Sequence, residues 1–513
     1  MGKIIFNEDP NHFIYTRTAA GIEEVTREDL VNFIMQYKDT QITDFMICLN
    51  ASLTWYNSKR TMSGIDKYKE WVAAGKTDDT ETNNVIKCGR LLVDIYENKG
   101  IEMHKLWIET LRSIGIRPWI SIRMNDIHET DAEDSFLFSD FYKKNRWMNR
   151  ASHRTPAGYY ENGLDYMFQE VRGYYMTVIE EALDTFDADG LELDWMREIY
   201  SVGIGREYEG IAVINAFMRE IYARVKAAEK KWGHPIKIGV RLPDTPEKCL
   251  RLGFDFFDWI DAGILDLIVV TPRWSSVDNN MPIDLWHRLL AGKNVELAAG
   301  LEILIDAYNR RGRKYVNNTF ETAIGSACAY LSLGADAVYL FNYMDGIVPN
   351  ALREDSLYSD PEIYHRFLTT AGDIEKAAAA PRRHVVTYDD VYATGASNTK
   401  QLPIALSGSR ERVTAFSAVR IPTGPIPAGR LVRVVLGFEK GAFDIHDLVV
   451  YLNAKKCMLA GAAAPVNPQY PDMDYYVFDT ENDGAIPPVS VLEVGISDGR
   501  ATIHWAEIDV LQP

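Results

Sequence analysis

The sequence predicts a (β/α)8 barrel followed by an antiparallel β-sandwich, and three observations carry that expectation. Short apolar segments of strand type recur eight times in the first two-thirds of the 513-residue chain, with helically spaced stretches between them. No GxGxxG turn follows the first of these segments, which sets aside an open dinucleotide-binding sheet. Beyond residue 380 the helical spacing stops, and short strands separated by turn residues follow one another.

The eight segments are Lys3–Asn7, Thr43–Asn50, Pro118–Asn125, Gly190–Asp194, Ile236–Arg241, Leu265–Thr271, Val295–Glu302 and Ala337–Asn342. Most end in a polar or charged residue, as strands do where they reach the open mouth of a barrel. Met167–Phe186, Val213–Trp232, Pro282–Leu290 and Thr322–Leu333 show the apolar spacing of intervening helices. Two connections, 51–117 and 127–166, are too long for simple βα loops. The second is rich in aromatics (Phe136, Phe138, Phe141, Tyr142, Trp147, Tyr159, Tyr160), which argues for a packed lid or substrate platform over disorder. A helix from Asp360 to Ala380 closes the barrel, expected to span 1–380. The sandwich is expected over 381–513, with strands at Val385–Tyr388, Gln401–Ser407, Arg412–Ala418, Arg430–Phe438, Asp447–Asn453, Tyr475–Phe478, Val489–Val494 and Thr502–Val510.

Charge and cysteine usage narrow the partners. Asp and Glu number 73 against 55 Lys and Arg, a net charge of −18, so a nucleic acid would meet net repulsion. The short basic clusters, Arg310–Lys314 and Arg382–His384, read as a helix end and a linker. Cys48, Cys88, Cys249, Cys328 and Cys457 are scattered, without a CxxC pair, and suggest buried thiols. No cofactor and no metal site is expected. Acidic residues arrive early at the N-terminus and no apolar run is long enough for a membrane span, so the expectation is a cytoplasmic protein, with homo-oligomerisation open.

The chemistry concentrates in Asp189-Gly190-Leu191-Glu192-Leu193-Asp194-Trp195-Met196-Arg197-Glu198. Residues two apart on a strand share a face, so Glu192 and Asp194 point together into the barrel while Leu191 and Leu193 face the helices. Buried carboxylates are costly unless paired or used. A structural ion pair with Arg123 or Arg241 is the competing reading of Glu192. The seventh segment closes with Ala298-Ala299-Gly300-Leu301-Glu302, whose small residues leave room beside Glu302. Strands four and seven oppose each other across a barrel mouth, so Asp194 and Glu302 form the candidate pair for glycoside hydrolysis. Glu198 is the reserve for either role. Trp55, Arg123, Asn125, Asp126, His128, Glu192, Trp195, Arg241, Arg273, Trp274, Asn342 and Tyr343 supply the polar groups and aromatic planes expected to bind a sugar.

The run from Asp189 to Trp195 resembles the fourth-strand motif of family-18 glycoside hydrolases, DGxDxDxE, with Met196 where that family carries its catalytic Glu. The opposed carboxylates resemble the clan of the family-10 xylanases, which carries an Asn-Glu pair where Leu193-Asp194 stands. Residues 1–380 as a whole are similar to uncharacterised bacterial glycosyl-hydrolase-like barrel proteins. These resemblances imply a barrel glycosidase, and by analogy with the clan a retaining mechanism with Glu302 as nucleophile and Asp194 as acid/base; the opposite assignment stays open, since many α-acting barrels use a fourth-strand Asp as nucleophile. The expected cytoplasmic location, and not the resemblance, favours oligosaccharides or small glycosides as substrate. Two other readings stand beside the glycosidase. One is a sugar-binding barrel without catalysis. The other is a metal-dependent sugar isomerase or epimerase using Glu192, Asp194, His128 and Glu302.

Overall fold

A computed structural model describes residues 2–76, 84–130, 132, 135–153, 159–272, 277–308, 314–341, 343, 357, 360–386, 401–410, 416–441, 443–463, 473–482, 484 and 486–512. Eight parallel strands close into a barrel: β1 (Ile4–Glu8), β2 (Ile42–Cys48), β3 (Arg117–Arg123), β4 (Gly190–Asp194), β5 (Lys237–Pro243), β6 (Leu267–Thr271), β7 (Glu296–Leu301) and, after a hairpin of β8 (Leu304–Tyr308) and β9 (Lys314–Asn317), β10 (Ala337–Phe341). All eight expected barrel strands are present, with ends displaced by a few residues.

The barrel has two apolar layers because its strands alternate. Inward side chains such as Ile5, Met46, Trp119, Val269, Tyr339 and Phe341 form one cluster. Outward ones such as Phe6, Ile47, Ile120, Leu191, Leu193 and Val240 pack with the surrounding helices. The indole of Trp119 fills the barrel floor, and Gly190 is what admits it: a Cβ there would lie 2.2 Å from the ring. Trp119 Nε1 donates to Asp44 at 3.0 Å, and Arg117 donates two 2.7 Å bonds to the same carboxylate. Burial alone would raise the Asp44 pKa, yet Arg117 and Lys3 hold it below the usual carboxylate range.

The long connections carry more regular structure than their length suggested. Residues 51–117 contain helices at Gly64–Ala73, Asn84–Val93 and Met103–Ser113, with a π turn at Asp94–Asn98. Capping begins the first: Ser63 and Asp66 form a reciprocal capping box. In the second connection Phe136, Phe138 and Tyr142 are buried, and Phe141 stacks on Tyr174 at 4.0 Å. Trp147 stays half exposed against Phe168.

The C-terminal strands are β11 (Arg382–Val386), β12 (Ile404–Gly408), β13 (Phe416–Pro422), β14 (Leu431–Glu439), β15 (Leu448–Leu452), β16 (Lys455–Lys456), β17 (Met458–Ala462), β18 (Met473–Thr480), β19 (Val489–Ile496) and β20 (Gly499–Leu511). They make two antiparallel sheets, β11-β20-β14-β18-β17 with β12 also on β20, and β13-β19-β15-β16, around a core of Val419, Val434, Leu436, Val450, Leu492 and Ile503. β16 and β17 were not anticipated, and the expected strand residues 387–388 and 412–415 lie outside the described residues. Among the described residues no helix is long and apolar enough to cross a membrane.

Candidate active site

The site is built from register. Arg123, Asp194 and Arg241 stand side by side on β3, β4 and β5, the first two at their strand ends and Arg241 two residues before the end of β5, all inward. Arg241 reaches Asp194 through Nη1, at 3.1 Å and 3.2 Å from its two oxygens, and Glu302 through Nη2 at 2.8 Å. The candidate pair therefore meets on one guanidinium. Its terminal nitrogens are about 2.3 Å apart, so Asp194 Oδ1 and Glu302 Oε1 are separated by no more than about 8 Å. All three side chains are buried, with 1% or less of each exposed. Burial opposes the charge of Arg241, but Asp194 and Glu302 hold its pKa above the ordinary arginine value. The guanidinium also lies 3.7 Å from the centre of the Phe341 ring.

Asp194 is fixed from a second side. Its Oδ1 accepts the backbone N–H groups of Met196 (2.9 Å) and Arg197 (3.0 Å), which folds the chain over the end of β4. Glu302, just past β7, has Thr271 Oγ1 at 3.4 Å, and its carbonyl accepts from Asn318 Nδ2 (3.0 Å) and Tyr343 OH (3.1 Å). The small residues before Glu302 do not open a pocket floor. A Cβ at Gly300 would sit 2.3 Å from Thr271 Oγ1, so Gly300 is the space that Thr271 occupies.

Glu192 sits one inward position deeper and pairs with neither arginine proposed for it. It accepts from Asn7 Nδ2 at 2.8 Å and Tyr339 OH at 2.7 Å. Burial, and then the charge of Asp194, push its pKa up to about 7. Arg123 turns to Asp9 (2.7 Å) and Asp126 (3.2 Å). Asp126 in turn holds His128 Nδ1 at 2.8 Å, while Arg197 donates to His128 Nε2. Burial would raise the Asp126 pKa, but His128, Arg123 and Arg197 hold it well below the carboxylate range. Glu198 accepts from Arg197 Nη1 at 3.2 Å and is 2% exposed.

The other expected contacts fall elsewhere. Trp195 is fully buried against Tyr166 and Phe254 in the layer between barrel and helices. Trp55 is 1% exposed within that same outer core, where Gly64 packs on its ring. Asn125 is a loop clamp: its amide N–H groups bond Leu164 O (3.0 Å) and Tyr200 O (3.3 Å), and its oxygen accepts from Leu164 N (3.1 Å). Tyr343 is buried, stacked on Phe367. Arg273, Trp274 and Asn342 lie outside the described residues. Of the expected sugar contacts, His128 keeps a third of its side chain open to solvent.

Asp9, Asn7, Arg197, Thr271, Tyr339 and Phe341 join the site without having been singled out for it. Strand alternation was a usable signal for Asn7, Tyr339 and Phe341, which fall on inward positions of β1 and β10. Asp9 carries no such signal, being outside β1 in the cap of the next helix. Among the described residues no group of three or more His, Cys, Asp or Glu is disposed to hold a metal ion. The position that a metal between Asp194 and Glu302 would need is taken by Arg241.

No protein-family model and no curated protein matches the chain. Solved structures similar to it include a cell-surface chitinase from Paenibacillus sp. str. FPU-7, 11% identical, with 97% of this chain and 53% of that one covered and a TM-score of 0.38. Another is a family-18 chitinase from Chromobacterium violaceum, 9% identical over 97% of this chain and 89% of that one, with a TM-score of 0.35. A third is the catalytic domain of a family-30 xylanase from Talaromyces cellulolyticus, 11% identical over 96% of each chain, with a TM-score of 0.37. The chain spans about half the length of the first of these, and all three are named as glycoside hydrolases.

Proposed function

We propose that the chain is a glycoside hydrolase whose catalytic pair is Asp194 and Glu302. The observation that carries the reading is the convergence of these two carboxylates, from opposite sides of a buried barrel mouth, on the single guanidinium of Arg241. Glycosidic cleavage needs one carboxyl group to protonate the leaving oxygen and another to attack the anomeric carbon or activate water. The bound of about 8 Å between the two groups admits the spacing of a retaining enzyme, about 5–5.5 Å, as well as part of the ~6.5–9.5 Å range of an inverting one, and the retaining reading rests on the likeness of the opposed carboxylates to the family-10 clan. Glu302 then serves as nucleophile and Asp194 as acid/base, with Glu198 the next carboxyl group along the mouth. His128, partly open and oriented by Asp126, is the group best placed to meet a sugar hydroxyl. Oligosaccharides or small glycosides are the substrate class.

A panel of aryl glycosides tests the activity, and azide tests the roles. Asp194→Asn and Glu302→Gln should each lower kcat by several orders of magnitude while the far-UV circular dichroism stays that of the parent. Azide should rescue Glu302→Gln to a glycosyl azide of inverted configuration and Asp194→Asn to one of retained configuration. Undiminished turnover in both amide variants would remove the pair.

A second reading, a sugar-binding barrel without turnover, is favoured by the same guanidinium, because Arg241 occupies both carboxylates in the ligand-free protein. Saturable binding of an oligosaccharide by calorimetry, with no product after days, would decide for it.

A further inference from the structure

The segment that follows Glu302 does not stay with the barrel. β8 begins two residues later and lies against β20 of the C-terminal sheet. Ile305 is 2% exposed and buries itself among Val277, Val385, Val435, Met473, Tyr475 and Trp505. Five of those six neighbours come from the sandwich, so the floor under β8 is supplied by the other half of the chain. Among them is Trp505, 1% exposed, whose Nε1 donates to Glu507 Oε2 at 2.8 Å. Glu507 is in turn held by Arg383, with Nη2 to Oε2 at 3.1 Å. The indole is thus fixed at its polar edge and shares its apolar cluster with Ile305 of β8.

The backbone just before Ile305 is tied back to the barrel. Asn318 N donates to Ile303 O at 3.0 Å, Val277 N to Leu304 O at 2.9 Å, and Asn318 Nδ2 to Glu302 O at 3.0 Å. The connection leaving β6 is held by the sandwich as well. Asn279 Nδ2 donates to Val385 O at 2.9 Å, and Arg420 donates to Asn280 Oδ1 at 2.9 Å and pairs with Asp284 at 3.1 Å. Both chain segments beside Glu302 therefore rest on the C-terminal sheets.

We infer that the sandwich is a positioning element for the barrel site, in which Trp505 and Ile305 set the place of Glu302 by clamping β8. This rests on the reading of Glu302 as a catalytic carboxylate. Trp505 and Ile305 touch no substrate, so their effect is on geometry and must show in kcat rather than in affinity. A displacement of the order of 1 Å at a reacting group costs up to about a hundredfold in rate.

The test is made on the full chain with Trp505→Ala, its conservative counterpart Trp505→Phe, and Ile305→Ala from the barrel side of the same cluster. Hydrogen exchange of the amides at 277, 301–305 and 318 reports the clamp without any substrate, and steady-state kinetics on the active aryl glycoside reports the consequence. The expected result is faster exchange at those amides in Trp505→Ala and Ile305→Ala. It is accompanied by a fall in kcat of roughly 10- to 100-fold, a KM within about twofold of the parent, and recovery of both readouts in Trp505→Phe. If Trp505→Ala fails to fold, Ile305→Ala alone decides, since it leaves the sandwich core untouched. Faster exchange confined to the sandwich strands overturns the inference. Loss expressed wholly in KM overturns it too. Should the exchange pattern be as expected while Glu302→Gln turns over like the parent, the clamp stands and the catalytic reading of Glu302 is what fails.

Discussion

Glu192→Gln separates a charged interior carboxylate from a neutral one at a fully buried site. Glu192 is fully buried, and burial together with Asp194 raises its pKa from 4.5 to about 7. Between those values the folded protein keeps a proton that the unfolded chain has already released. Folding then binds protons, and stability falls as pH rises by about 1.4 kcal/mol per pH unit. The contribution is complete below pH 4.5 and lost as pH climbs through about 7, a total of roughly 3 kcal/mol. Glutamine cannot release that proton. Its oxygen still accepts from Tyr339 OH, but its amide N–H2 meets Asn7 Nδ2, so Asn7 must turn its own oxygen inward. That rearrangement costs about 1 kcal/mol, the worth of one hydrogen bond. Glu192→Gln should therefore be slightly less stable than the parent at pH 4.5 and about 2 kcal/mol more stable at pH 8.5, the difference growing across the window.

Urea unfolding followed by tryptophan fluorescence at pH 4.5, 5.5, 6.5, 7.5 and 8.5 measures this directly. Titrating groups remote from Glu192 contribute equally to both proteins and cancel in the difference. A constant offset between parent and variant across the whole range would refute the reasoning, because it would mean that Glu192 has the same affinity for its proton folded and unfolded.

Three further outcomes follow from the same structure. Arg241→Met leaves Asp194 and Glu302 buried without their counter-charge and should cost about 3–5 kcal/mol at pH 7. Part of that loss should return at pH 4, seen as a narrower gap in Tm. Asn125→Ala removes three hydrogen bonds that tie the 164 and 200 loops to the end of β3. It should cost about 2–4 kcal/mol and raise hydrogen exchange at Leu164 and neighbouring amides, with exchange unchanged in the sandwich. Asp509, pushed up to about 9 by burial and by Glu507, keeps its proton when folded, so the stability it contributes is full below pH 3.8 and is lost as pH rises through about 9. Asp509→Asn should flatten that decline and raise Tm at pH 8 relative to the parent.

The barrel was legible because it rests on repetition: eight short apolar runs and the helices between them are set by local spacing. The convergence of Asp194 and Glu302 was legible for a related reason, since strand alternation and strand order together place both at the mouth. Nearness to a strand end does not by itself place a side chain at the mouth: the alternation that turns Glu192 and Asp194 inward turns Trp195 outward with Leu191 and Leu193. Trp55 and Asn125 stand beyond the last residues of β2 and β3, where the period no longer applies and loop packing decides. Partner choice was the least accessible level. That Arg123 takes Asp9 and Asp126 and leaves Asp194 to Arg241 depends on where loops return over the barrel, and no spacing encodes it.

Those partner choices also explain how so acidic a chain buries so many carboxylates at one end of a barrel. Each mouth arginine is shared between acids: Arg123 between Asp9 and Asp126, Arg197 between Glu198 and the Asp126–His128 pair, Arg241 between Asp194 and Glu302. Sharing one cation between two anions leaves more carboxylates than cations at the mouth while each of these five has a counter-charge; Glu192, which pairs with no arginine, instead holds its proton up to about pH 7. A neutral sugar gains little from such a field. An anomeric centre that develops positive charge gains much more, because the carboxylates are fixed in place before it forms. Binding energy that rises as the substrate becomes cationic is what separates a catalyst from a receptor. On this ground the paired state of Asp194 and Glu302 counts for turnover, provided that Arg241 can yield one of its two partners when the sugar arrives.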